Sequence, residues 1–235
     1  MATALEQFSH MDKVAIAFVF FLKMVCSVLF SALLSAFTAF METILNKPKD
    51  TALIYVAASQ SAVGIVSILT VAVFVFTPLG KGRASPVLFF SLGCYFLVYL
   101  YSYPWPPVSE PIVVNSTANP HGCDATELEW CATQWHVKVW YWLPVTVILF
   151  AMAVPTSMIS LDTVYSKLLG NIDQNMMQGA LVLADDLASS IAPIVTMKIY
   201  TAYGPATFWL VLAGSALVGF LAWLPMIPKM RRLKI

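Results

Sequence analysis

The chain has 235 residues, of which 60% are apolar and 11% charged, with a net charge of +1 and a mean hydropathy of +0.80. Soluble domains are about 45–50% apolar and about 25% charged. The composition therefore excludes a soluble enzyme, a disordered tail, a collagen and a small disulfide scaffold, and makes a lipid bilayer the natural solvent.

Six apolar runs are long enough to cross a bilayer as helices, at about 14–41, 52–77, 86–104, 139–160, 177–200 and 205–227. They are continuous rather than alternating, which argues against a barrel. The predicted fold is an all-α, polytopic membrane bundle of six transmembrane helices. The first span holds Lys23 in its interior and closes with Glu42. It is too long for a signal segment and lacks a cleavage site, so it reads as a retained helix. The turn Asn46-Lys47-Pro48-Lys49-Asp50 leads to the second span, which carries the polar cluster Ser59-Gln60-Ser61. The short basic loop with Lys81 and Arg83 leads to the third.

Between the third and fourth spans lies a segment of about 105–138. It carries the sequon Asn115-Ser116-Thr117, the cysteines Cys123 and Cys131, and tryptophans crowded at its ends. An oxidising lumen would allow the two cysteines to pair and Asn115 to be glycosylated. The fourth span carries Thr156 and Ser157, and the fifth carries Asp185-Asp186. Gly204-Pro205 makes the turn into the sixth, and a basic tail occupies 228–235.

Lysine and arginine bias sets the orientation. Lys13, Lys81, Arg83, Lys167, Lys229, Arg231, Arg232 and Lys234 lie on one side, against Lys47, Lys49, Lys138 and Lys198 on the other. Both termini (1–13 and 228–235) are therefore expected in the cytoplasm, with 14–104 and 139–227 forming the membrane part and 105–138 facing a lumen.

Charges inside a span are expensive, at least about 2.5–3.5 kcal/mol on insertion scales, and mark interiors or aqueous cavities. Lys23, Asp185 and Asp186 fall at similar depth, roughly 12–14 Å from the cytoplasmic end at the helical rise per residue. Lys23 is thus expected to pair with one aspartate and leave the other free to titrate, as a charge pair on a transport pathway or as a packing pair. Ser59, Gln60, Thr156 and Ser157 are the candidate cavity-lining polar groups, and Glu42 is an end-of-span acid. The histidines are scattered and no CxxC pair occurs, so no metal site or cofactor is expected; nor is there a catalytic triad, a Walker loop or a nucleic-acid patch. The chain does not read as an enzyme.

Phe40-Met41-Glu42-Thr43-Ile44, Gly122-Cys123, Trp130-Cys131, Tyr165-Ser166-Lys167-Leu168-Leu169-Gly170 and Tyr203-Gly204-Pro205 carry a family resemblance. With the basic loop Gly80-Lys81-Gly82-Arg83, the chain resembles one half of a major facilitator superfamily transporter. It is similar to the C-terminal half of the lysosomal major facilitator domain-containing proteins linked to neuronal ceroid lipofuscinosis, most strongly over 122–209. The resemblance implies a late endosomal or lysosomal carrier of a small solute or of an anion such as chloride, glycosylated at Asn115. It also implies that six helices are half of a twelve-helix fold, completed by a second half or by a homodimer. Two further readings remain: a passive chloride conductance, and a non-transporting truncated half that assembles with a full-length partner.

Overall fold

A computed structural model describes residues 13–77, 84–117, 119–170 and 174–232. Helices dominate: α1 (Lys13–Leu45), α2 (Lys49–Phe76), α3 (Ala84–Ser102), α4 (Val139–Leu169), α5 (Gln174–Trp223) and the short α6 (Met226–Arg232). Helices α1 to α5 are each long and apolar enough to cross a membrane. The chain is thus all-α, with five candidate spanning helices.

Local chemistry sets the helix ends. No glycine or proline interrupts α1, and it stops where Asn46 takes φ +46° just before Pro48, the residue that opens α2. Gly170 at φ +60° ends α4. Helix α5 is broken at Gly204, whose φ of +78° and ψ of 179° are not helical. The break falls at the Gly204-Pro205 pair and divides α5 into limbs 174–203 and 205–223.

Side-chain contacts fix the direction of each element. The first limb runs alongside α1 in the same sense: Ser27 Oγ donates to the Asp185 carbonyl at 3.0 Å, and the Tyr200 and Thr43 hydroxyls meet at 3.2 Å. The second limb runs back, with Trp209 stacked edge-on to Phe40 at 5.2 Å and Trp223 against Phe18 at 6.2 Å. Helix α4 is also antiparallel to α1, pairing Trp142 with Phe37, Phe150 with Phe30 and Tyr165 with Phe20. Helix α3 rises with α1: Ser85 accepts from the Trp223 indole near one end, and Ser102 from the Trp142 indole near the other. Successive elements therefore alternate in direction, and the 50-residue α5 is a hairpin rather than a rod.

The core is aromatic toward the end where α1 finishes. Phe40, Tyr99, Trp142, Phe208 and Trp209 are fully or almost fully buried around one another. Helix α2 is the exception, with only 6% of its most apolar stretch buried. Two of the prolines inside the helices free carbonyls that other elements satisfy. Pro155 cannot donate to Ala151, and Ser67 Oγ from α2 donates to that carbonyl at 3.1 Å. Pro205 cannot donate to Thr201, and the Trp130 indole does so at 3.0 Å.

The segment between α3 and α4 is small but structured. Strands β1 (Ser109–Pro111) and β2 (Trp135–Val137) pair antiparallel, with Glu110 opposite His136. A disulfide joins Cys123 to Cys131, and Cys131 sits in a one-turn helix, Glu129–Ala132. Gln134 follows and clamps the α5 reversal: its Nε2 donates to the Tyr203 carbonyl at 2.6 Å, and its Oε1 accepts from Ala206 N–H at 3.2 Å.

Candidate functional site

The charged residues of the bundle interior converge on α1. Lys23 is 5% exposed. Its ammonium donates to Asp162 Oδ1 at 3.1 Å, lies 3.3 Å from Met158 Sδ, and is 4.0 Å from Asp185 Oδ2. Three elements thus share one site: α1 supplies the cation, and α4 and the first limb of α5 each supply a carboxylate. The Asp162 side chain is 49% exposed and that of Asp185 22%. Ser27, one turn above Lys23, fixes the Asp185 backbone through its carbonyl. Asp185 Oδ1 is buried with no hydrogen-bond partner.

Asp162 is the member that hydropathy misses. The apolar run of the fourth span ends near 160, whereas α4 continues unbroken to Leu169. Asp162 stands four residues after Met158, on the stripe that already faces α1 through Phe150, so helical periodicity carried the signal. Asp185 lies beside Lys23, but in second place. Asp186 is exposed and forms no ion pair among the described residues, its carbonyl serving Ser189 and Ser190. Adjacent helical residues point about 100° apart, which is why the two aspartates separate.

The polar residues of α2 and α4 also part company. Ser59 and Gln60 line a cleft of about 290 Å³ between α1, α2 and α4. Thr156 and Ser157 do not line it; both are buried and bond carbonyls of their own helix. Thr146 does line it, 2% exposed and with its hydroxyl unpartnered. Glu42 is half-buried near the far end of α1. Asn115 is exposed, its backbone N–H bonded to the Cys123 carbonyl at 2.8 Å. Lys81 and Arg83 lie outside the described residues. No group of three or more His, Cys, Asp or Glu side chains among the described residues could hold a metal ion.

The arrangement is an ion-pair network joining α1, α4 and the first limb of α5. Two carboxylates face one ammonium there, with the Asp162 side chain half exposed and that of Asp185 mostly buried. No protein-family model, curated protein or solved structure matches the chain.

Proposed function

We propose that this chain is a six-span membrane-transport unit that moves a small solute or ion, with both limbs of α5 crossing the bilayer. The Lys23–Asp162–Asp185 network is the observation that carries the reading, because ionisable groups inside a membrane bundle typically mark substrate or ion pathways. The reversal at Gly204 supports six passes. So does the alternation of helix directions, which gathers Lys13 and Lys167 at one end and Lys47, Lys49, Lys138 and Lys198 at the other. The major facilitator resemblance adds an endolysosomal membrane, cytoplasmic termini and a luminal segment bearing Asn115 to the proposal.

A second reading, assembly with another membrane unit, is favoured by the open face. Asp162 is half exposed, Asp186 and Gln60 are exposed, and α2 is scarcely covered. By contrast, the outward residues of α3 and the second limb, such as Phe90, Leu97, Leu210, Val218 and Leu221, are apolar and suit lipid. Flux in proteoliposomes tests both readings. Wild-type chain alone should move solute under an imposed pH or ion gradient, and Lys23→Ala should abolish the movement. Wild-type flux only after co-reconstitution with a second unit selects assembly, and flux unchanged by Lys23→Ala removes the network from the pathway.

A further inference from the structure

The charged network and the cleft share one seam. Lys23 and Phe30 are seven residues apart on α1, hence on nearly the same face and about 10.5 Å apart along the axis. Opposite them on α4, Phe150, Val154, Met158 and Asp162 repeat every four residues. Phe30 and Phe150 stack at 5.8 Å and belong to the cleft; Met158 and Asp162 meet the Lys23 ammonium. The apolar cleft therefore lies on the same seam as the acidic site, with Val154 at its edge one turn of α4 from Met158 and two turns from Asp162.

The chemistry of the two halves differs. The lower half carries two carboxylates, with Asp162 half exposed and Asp185 Oδ1 unpartnered. The upper half contains no charged lining residue: Phe30, Leu33, Phe37, Val63 and Phe150 form its walls. Its polar groups are sparse, with the Thr146 hydroxyl unpartnered at the wall and the Gln60 carboxamide open. Gly64 leaves part of it empty, since a Cβ there would meet nothing within 4 Å.

We propose that this seam binds a lipophilic organic ammonium, its charged head at the open carboxylate of Asp162 beside Asp185 and its apolar body in the cleft above. The proposal rests on reading the open face as a transport face and names the substrate class. A cation is attracted by the two carboxylates, whereas an anion would meet Asp162 and Asp185 beside a Lys23 that is already paired with them. The apolar body gains by leaving water for an aromatic-lined cleft.

Saturation-transfer binding to the full chain in micelles, using three probes of one shape, tests it: 4-phenylbutylammonium, 4-phenylbutanol and 4-phenylbutanoate. The ammonium should bind saturably and at least about tenfold more tightly than the other two. Asp162→Asn should erase that preference. Gly64→Leu, which fills the cleft, should weaken the ammonium by about tenfold while leaving the chain folded. Equal binding of alcohol and ammonium, tighter binding of the carboxylate, or an ammonium affinity indifferent to both substitutions would overturn the proposal. If Gly64→Leu does not fold, Asp162→Asn alone decides through the charge preference. Solute flux is scored separately: binding without flux leaves this site standing and removes the transport reading, and flux without ammonium binding does the reverse.

Discussion

Lys23 Nζ lies 3.1 Å from Asp162 Oδ1, joining two antiparallel helices through one buried ammonium and one half-exposed carboxylate. Removing the cation strands two acids. Breaking a buried pair costs about 3–5 kcal/mol, and less when one partner reaches solvent. We expect Lys23→Ala to cost about 2–3 kcal/mol of stability and Asp162→Asn about 1–2, since the amide still accepts a bond. The swap Lys23→Asp with Asp162→Lys should recover part of the loss, read as the unfolding midpoint in detergent. A swap no better than the sum of its singles would mean that the two residues do not act as a pair.

Gly204 and Gln134 form the second coupled pair. At φ +78° a side chain is strained, and a Cβ would stand 2.5 Å from the Gln134 carboxamide. Gly204→Ala should therefore cost about 1–3 kcal/mol. Adding Gln134→Ala removes the collision but leaves the Tyr203 carbonyl and Ala206 N–H without their clamp. The double variant should thus remain less stable than wild type, and hydrogen exchange should rise at 203–206. Full recovery in the double variant would show that the clamp itself contributes nothing.

Ser67 compensates a proline. Because Pro155 has no N–H, the Ala151 carbonyl depends on Ser67 Oγ from α2. Ser67→Ala should cost about 1 kcal/mol in wild type. In a Pro155→Ala background, where residue 155 donates to that carbonyl, the same change should be nearly neutral. Equal costs in the two backgrounds would show that Ser67 does not serve the carbonyl freed by the proline.

The features that were legible in the sequence are those written in long patterns. Apolar runs of span length mark α1 to α5, and Gly204-Pro205 marks the reversal because the two residues together cannot continue a helix. What escaped lies below that scale. Strands β1 and β2 have three residues each, too few for an alternation to register. Asp162 is hidden by averaging: a hydropathy window sees the run decay after 160, whereas the face-by-face spacing of Phe150, Val154, Met158 and Asp162 continues. Likewise Asp185 and Asp186 look equivalent in sequence, and only the helical phase separates the one that meets Lys23 from the one that does not.

His136 gives the segment between α3 and α4 a pH dependence. It is 3% exposed, opposite Glu110 in the β1–β2 pair, with its Nε2 3.8 Å from Glu110 Oε1. Burial holds the imidazole below its ordinary 6.5, while the Val137 carbonyl and Glu110 pull the other way. The unfolded segment then takes up a proton near pH 6.5 and the folded one does so only at lower pH. The stabilising contribution is accordingly complete above about pH 6.5 and is lost as pH falls through the depressed folded value. His136→Phe, which keeps the burial, should flatten the slope of the unfolding midpoint between pH 7.5 and 5. A slope that persists in that variant would assign the dependence to another group.

Asn115 tests which way the chain faces. Its side chain is exposed beside the bridge between Val114 and Cys123, and its backbone is held to Cys123, one member of the disulfide with Cys131. Gly122 permits this close approach, because a Cβ there would stand 2.6 Å from the Val114 carbonyl carbon. The sequon is thus presented on a fixed surface rather than folded into the core. Expressed in a cell with a glycosylating secretory pathway, the wild-type chain should shift in mobility on glycosidase treatment. Asn115→Gln should lose that shift, and Asn119→Gln should keep it, since Asn119-Pro120-His121 has neither the Ser or Thr at the third position nor the non-proline second residue of a sequon. The luminal orientation requires all three results. A wild-type chain with no glycan, together with Cys123 and Cys131 labelled by a thiol reagent from the cytoplasmic side without reduction, would invert the proposed topology.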